Sequence, residues 1–367
     1  MKIKYPVYQP YLTGNEKQYV LECLESTWIS SKGKFISEFE NKFSEYLGIP
    51  YSASVSNGTV ALHVALLALG IGKGDEVIVP TFTYIASVNS IAYTGATPVF
   101  VDSDPISWQM SIEETRNKIT PKTKAILAVH LYGHPCDIRA LRDLAKKEKL
   151  FLIEDTAEAL GSEYNGKKVG TFGDISTFSF FGNKTITTGE GGMVVTHDKS
   201  LYEKCVHIKG QGLAKNTEYW HDIIGYNYRM TNICAAIGLA QLEKVNNIIK
   251  IKREIAGWYR EELNGLPLIF HDEMDGRFFS TYWMISILAK DSIIREKLRK
   301  HLIENGIETR PAFHPVHTMP MYVKAGYKFP VAEDVGARGI NLPSYPGLTK
   351  EDVKFISNTI RNFYERN

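Results

Sequence analysis

Between residues 51 and 155 the chain changes its hydrophobic period again and again. "YSASVS" is a short β-rich run, and the helical "TVALHVALLAL" follows it; "DEVIVP" gives way in the same manner to "YIASVNSIAYT". "TPVFVD", "KAILAVH" and "LFLIED" are further short runs, with the helical "DIRALRDLAKKEK" between the last two. Strands that alternate with helices must run parallel to one another, and runs this apolar must be covered on both faces. The expected fold is therefore α/β, a mostly parallel sheet wrapped by helices. "DISTFSF" and "GGMVVT" extend it. In such a sheet, ligands bind beyond the carboxyl ends of the strands.

Thr13 and Glu16 have capping-box spacing and predict a helix start there. From Met230 the pattern changes. "NICAAIGLAQLEKVNNIIKIKREIAGWYREEL" reads as one long helix, a spine between two domains. Beyond it come the strand-like "TYWMISILA", the helical "SIIREKLRKHLIENG", an irregular Pro-rich stretch and a last helix, "KEDVKFISNTIRNFY". These elements predict a large α/β domain over residues 13–245 and a smaller α+β domain over 246–367, with the segment 1–12 left unplaced. A length of 367 residues suits two such packed units.

Several function classes are disfavoured. The formal net charge is only +2, with basic residues spread along the chain, so neither nucleic acid nor an anionic membrane is an expected partner. "MKIKYPVYQPYL" has no apolar core of signal-peptide length, and "VALHVALLALGI" is too short to span a bilayer. Cys23, Cys136, Cys205 and Cys234 are scattered, which predicts free thiols in a reducing cytoplasm and no metal site.

Three stretches carry chemistry. "VSNGTVAL" closes a strand and opens a helix, so Ser56, Asn57, Gly58 and Thr59 offer backbone N–H groups to an anion such as a phosphate; a plain cap by Asn57 or Thr59 is the alternative. "LFLIEDTAEALG" ends a strand on Glu154 and Asp155, followed by Glu158. Alternation sends only one of the adjacent acids to the site face, where it either holds a protonated ring nitrogen or caps the next helix. "SFFGNKTITTGEGGMV" sets Lys184 among Ser179, Thr185, Thr187 and Thr188. A lysine amine in water has a pKa of about 10.4 and is a poor nucleophile, but burial lowers that value and permits imine formation. Together, a phosphate cradle, a strand-end aspartate and a sheltered lysine match the needs of pyridoxal 5′-phosphate: a phosphate to anchor, a pyridine nitrogen to keep protonated and an aldehyde to capture. Phe82 and Tyr84 in "PTFTYIAS" offer an aromatic cover.

At this point "SNGTVALHVALLALGIGKGDEVIVPTFTYIASVNSIAYTGATPVFVD", "IEDTAEALGSEYNGKKVGTFGDISTFSFFGNKTITTGEGGMV" and "GYNYRMTNICAAIGLAQLE" resemble the DegT/DnrJ/EryC1/StrS sugar aminotransferases. The resemblance covers nearly the whole chain. It implies a fold-type I, pyridoxal-phosphate-dependent enzyme that transfers an amino group to a nucleotide-linked keto sugar by a ping-pong exchange with L-glutamate. It further implies that Lys184 forms the Schiff base and moves the proton, and that Asp155 pairs with the pyridine nitrogen. Gly58, Thr59 and Ser179 hold the phosphate, Tyr84 stacks on the ring, and Glu158 lies on its oxygen side. Asn227 in "GYNYRM" reaches the cofactor of a neighbouring copy, which makes the active unit at least a homodimer, with Arg229 assisting there. Arg310, His314 and His317 in the Pro-rich stretch are candidates to line the substrate pocket. "YPVYQPYLTGNEKQYV", "STWISSKGKFI", "HLYGHPCDI" and "RPAFHPVHTMPMY" are similar to members that aminate C4 of a GDP-linked 4-keto-6-deoxy sugar. Alternatives are another UDP- or dTDP-linked keto sugar, aminated at C3 or C4, and a non-catalytic nucleotide-sugar binder. Relatives that deoxygenate C3 carry histidine in place of the lysine, which Lys184 argues against.

Overall fold

The computed structural model describes residues 3–271 and 273–366; residues 1, 2, 272 and 367, which belong to the expected N-terminal and C-terminal units, lie outside the described residues. The β-rich runs form β1 (Tyr51–Val55), β2 (Glu76–Pro80), β3 (Thr97–Val101), β4 (Thr123–Val129), β5 (Phe151–Asp155), β6 (Ile175–Ser179) and β7 (Gly192–Thr196). They lie in the order β1-β7-β6-β5-β4-β2-β3. The pairs β2–β3, β2–β4, β4–β5 and β5–β6 are parallel. Strand β7 is antiparallel to both β1 and β6, because the loop that carries Lys184 joins β6 to β7 with no helix between them.

Alternation along each strand feeds two cores. Val77, Val79, Leu127 and Ile153 point to one face, against helices Gly58–Ala68 and Ile85–Tyr93. Ile78, Ile126 and Leu152 point to the other, against helix Ile138–Glu148. A helix not foreseen above, Lys34–Leu47, buries Phe35, Phe39, Phe43 and Leu47 at a four-residue spacing. Each such side chain contributes about 1.5–3 kcal/mol of burial energy. Phe39 packs on Phe180 and Phe43 on Phe178, with ring centroids 5.3 and 5.0 Å apart. The apolar run that leads into the Lys184 loop is thereby fixed from behind.

A second, four-stranded antiparallel sheet has the order 269–270, 285–288, 339–342, 310–311. It shares a core with helices Val245–Leu263, Ser292–Glu304 and Lys350–Glu365.

Two local expectations need correction. The first helix begins at Glu16 with Asn15 at its N-cap position, and Thr13 does not cap it. The Glu16 carboxylate is engaged elsewhere, by the Gly14 amide at 2.8 Å and by Gln241 Nε2 at 2.5 Å. The expected single spine is two helices, Asn232–Leu242 and Val245–Leu263. The break lies where the N-terminal segment grips the chain: Glu243 accepts hydrogen bonds from Asn15 Nδ2 and Tyr19 Oη, both at 2.7 Å, and Gln241 donates to the Tyr11 carbonyl at 2.9 Å. No Gly or Pro marks that point in the sequence.

Candidate active site

The carboxyl end of β5 separates its two acids as strand alternation requires. Glu154 is fully buried and accepts from His130 Nε2 (3.1 Å), the amides of Gly170 (2.8 Å), Phe172 (2.7 Å) and Gly173 (2.6 Å), and Ser176 Oγ (3.2 Å). Burial alone would lift its pKa; the His130 and amide donors outweigh that and hold the carboxyl below its ordinary range. Glu154 ties down the loop after β5.

Asp155 is also buried but has fewer donors. Ser87 Oγ donates to Oδ2 at 2.7 Å and the Ala157 amide to Oδ1 at 3.1 Å. Burial raises the Asp155 carboxyl above its usual value, opposed by Ser87, Ala157 and Lys184. A cation placed against this carboxylate would be strongly favoured. Ser87 sits in the first turn of helix Ile85–Tyr93, 3.2 Å from Thr83 Oγ1.

Helix Gly58–Ala68 opens at the carboxyl end of β1. Asn57 caps it, its side chain accepting from the Val60 amide at 3.0 Å. The amides of Gly58 and Thr59 have no acceptor among the described residues. Both sequence alternatives for this stretch thus coexist, a capped helix and free first-turn donors. Ser179, at the end of β6, closes the cradle: a Cβ built on Gly58 would lie 2.7 Å from Ser179 Cβ. Only glycine lets helix and strand end approach so closely.

Lys184 leads from the other side. Its side chain is 13% exposed, and its Nζ lies 3.7 Å from Glu158 Oε1 and 4.0 Å from the centre of the Trp283 ring. Burial lowers the pKa of the amine, while Glu158 and Asp155 pull it back up. Glu158 is buried too, and its Oε2 accepts the Tyr132 amide at 2.9 Å. Burial pushes this carboxyl up to about 7, Lys184 and the Tyr132 amide opposing the rise and Asp155 adding to it. Tyr132 presents that amide from a left-handed backbone (φ 55°, ψ 20°), a conformation rare for a bulky residue.

The remaining predicted residues are more dispersed. Tyr84 precedes helix Ile85–Tyr93 half-exposed, its ring 5.8 Å from that of Phe313. Asn227 and Arg229 flank the strand end next to the cradle: the Ser56 amide bonds the Tyr228 carbonyl at 2.8 Å, and Arg229 Nη2 donates to Asn227 Oδ1 at 3.1 Å. Arg310 is exposed at the edge of the second sheet, and His314 is exposed. His317 is buried with both ring nitrogens engaged, by Thr81 Oγ1 (2.7 Å) and Glu333 Oε1 (3.2 Å), so it anchors its loop instead of facing an open pocket. Ser87, Tyr132 and Trp283 were not foreseen. Ser87 and Tyr132 stand in stretches quoted above for their family likeness and Trp283 in a strand-like run, and no cap, period or strand end singles these three out.

The arrangement fits pyridoxal 5′-phosphate. Two unpaired first-turn amides and a glycine gap face Ser179, a desolvated carboxylate awaits a cation, and an amine of lowered basicity stands beside it. Two further buried hydroxyls, Thr156 Oγ1 and Thr185 Oγ1, adjoin Asp155 and Lys184 in the chain and have no partner among the described residues.

Comparison with known proteins agrees with this geometry. The model of the DegT/DnrJ/EryC1/StrS aminotransferase family matches residues 10–361. The chain is 65% identical, over 98% of both sequences, to GDP-perosamine synthase of Escherichia coli O157:H7. It is 55% identical to GDP-perosamine synthase of Vibrio cholerae, over 98% of this chain and 99% of that one. Among solved structures, the PLP-form of the putative sugar aminotransferase Spr1654 from Streptococcus pneumoniae superposes with a TM-score of 0.93 at 28% identity, covering 98% of each chain.

Proposed function

The chain belongs to the DegT/DnrJ/EryC1/StrS aminotransferase family, whose members depend on pyridoxal phosphate, and from that premise we propose that it transfers the amino group of L-glutamate to C4 of GDP-4-keto-6-deoxy-D-mannose, giving GDP-perosamine. The likeness to GDP-perosamine synthases along nearly the whole chain carries this reading of the substrate.

When bound, pyridoxal 5′-phosphate supplies an aldehyde that captures amines and a ring that takes up the electron pair left by a departing proton. The amides of Gly58 and Thr59, with Ser56, Asn57 and the Ser179 hydroxyl around them, hold its phosphate at a helix N-terminus. Asp155, oriented by Ser87, holds a proton on the ring nitrogen. Tyr84 covers the ring, and Glu158 lies on its oxygen side. Lys184 takes a proton from the donor's Cα and returns one at the sugar's C4. Its burial favours the neutral amine that this first task requires.

A second copy of the chain completes the site through Asn227, with Arg229 next to it. The stretch before Asn227 supports this, since Tyr219, Trp220 and Ile224 are 92%, 62% and 90% exposed. Mixing Asn227→Ala and Lys184→Ala subunits regenerates active sites; no recovery despite proven subunit exchange rules out sharing. Among the described residues, no helix is long and apolar enough to cross a membrane.

The decisive experiment offers the enzyme glutamate with a panel of GDP-, UDP- and dTDP-linked 4-keto and 3-keto sugars and resolves the products by mass. Amination of the GDP-linked 4-keto sugar alone is the expected result. Preference for another base, or for C3, overturns the substrate assignment and leaves the aminotransferase intact. Borohydride reduction fixes the cofactor on the peptide that contains Lys184, and Lys184→Ala abolishes amino transfer.

A further inference from the structure

Trp283 belongs to no motif, yet it touches the reactive lysine twice. Its Nε1–H donates to the Asn183 carbonyl at 2.6 Å, gripping the peptide that leads into Lys184. Its ring lies beneath the Lys184 amine, 4.0 Å from Nζ to the ring centre. The indole is itself held rigidly. It is nearly parallel to the Tyr132 ring (centroids 6.3 Å apart, 12° between planes), and its backbone presses so closely on Gly133 that a Cβ there would lie 2.6 Å from the Trp283 amide nitrogen. A second donor, the Tyr8 hydroxyl, bonds the carbonyl of Lys184 itself.

We propose that Trp283 positions the reactive amine: its N–H fixes the peptide carrying Lys184, and its ring face receives Nζ when the lysine stands free of the cofactor and has taken up a proton. This rests on the reading of Lys184 as the reactive group. The charged groups that act on the amine are Glu158 at 3.7 Å and Asp155, both at the carboxyl end of β5 or just beyond it. Tyr132 and Trp283 bring no charge, and the Tyr8 hydroxyl is spent on the main chain. Burial drives the amine toward its neutral form, and the carboxylates drive it toward ammonium. The indole face adds to the second side, because an aromatic quadrupole attracts a desolvated cation. Trp283 thus stabilises the ammonium that Lys184 carries between taking up a proton and returning it, and does so without a further carboxylate in the pocket.

The test uses full-length protein loaded with pyridoxamine 5′-phosphate, in which Lys184 carries no covalent link. The pH midpoint for acylation of Lys184 is read by peptide mass spectrometry in wild type, Trp283→Leu and Trp283→Phe. Loss of the aromatic face in Trp283→Leu lowers the midpoint by about one pH unit, whereas Trp283→Phe stays within a few tenths of wild type. Trp283→Phe still loses the bond to the Asn183 carbonyl, so its dissociation constant for pyridoxal 5′-phosphate rises by about tenfold. A purely structural tryptophan would change melting temperature in both variants and leave the Lys184 midpoint in place. An unmoved midpoint in folded Trp283→Leu, or in Trp283→Met should the leucine variant not fold, overturns the proposal. Borohydride reduction of the pyridoxal form separates the two claims. Linkage at Lys184 with an unmoved midpoint sinks only the role of Trp283, while linkage elsewhere sinks the reading of Lys184.

Discussion

Replacing Glu158 with glutamine preserves the shape of the side chain and an acceptor for the Tyr132 amide while removing the charge. Burial holds this carboxyl at about 7 in the folded protein against an ordinary 4.5. Above pH 4.5 the unfolded chain has released the proton and the folded one has not. This group's stabilising share is therefore complete below about 4.5, shrinks as pH rises, and is gone above about 7. At about 1.36 kcal/mol per pKa unit, the wild type loses roughly 2–3 kcal/mol on this account between pH 5 and pH 8. An unfolding entropy of about 2.1 cal/mol/K per residue makes this about 3 °C in melting temperature for a chain of 367 residues. The assay is thermal unfolding of cofactor-free wild type and Glu158→Gln at both pH values. The variant's melting temperature relative to wild type should be higher at pH 8 than at pH 5 by about 3 °C. An equal difference at the two pH values refutes the argument that Glu158 is held protonated by desolvation, as does a smaller one at pH 8.

Ser87→Ala strips Asp155 of its 2.7 Å donor. A hydrogen bond to a charged group contributes about 1.5–3 kcal/mol, so a fluorescence titration with pyridoxal 5′-phosphate should show at least a tenfold weaker fit; an unchanged dissociation constant removes Ser87 from the site. Gly58→Ala places a methyl 2.7 Å from Ser179 Cβ and narrows the cradle. Binding of pyridoxal 5′-phosphate should fall sharply while that of pyridoxal, which lacks the phosphate, is little affected, and equal losses for both argue against a phosphate site at Gly58. Glu154→Ala leaves His130 and three loop amides without their acceptor. The expected cost is about 3–5 kcal/mol, seen as a melting temperature lower by several degrees; a melt within 1 °C or so of wild type would show that water replaces the carboxylate.

What the sequence determined by itself was the order of elements and the places where chemistry can gather. Short apolar runs separated by helices leave little choice but a parallel sheet, and strand ends at Val55, Asp155 and Ser179 then lie along one edge of it. Asn57 and Gly58 follow from helix-capping rules, and the two acids of β5 part by alternation, because these signals act within a few residues. The four-residue aromatic stripe of Lys34–Leu47 was equally local and open to the same reading. Tertiary structure alone decided which of these two buried acids is saturated with donors and which is left with few. Glu154 and Asp155 are neighbours, but the loop at 170–173 comes to the first and Ser87 to the second. It also decided the helix break before Val245, set by contacts from Tyr11, Asn15 and Tyr19, and the indole beneath Lys184, supplied from 99 positions further along the chain. Such contacts join residues remote in sequence, so no local period or cap encodes them. They exist only once the sheets and helices have packed and water has left the space between them.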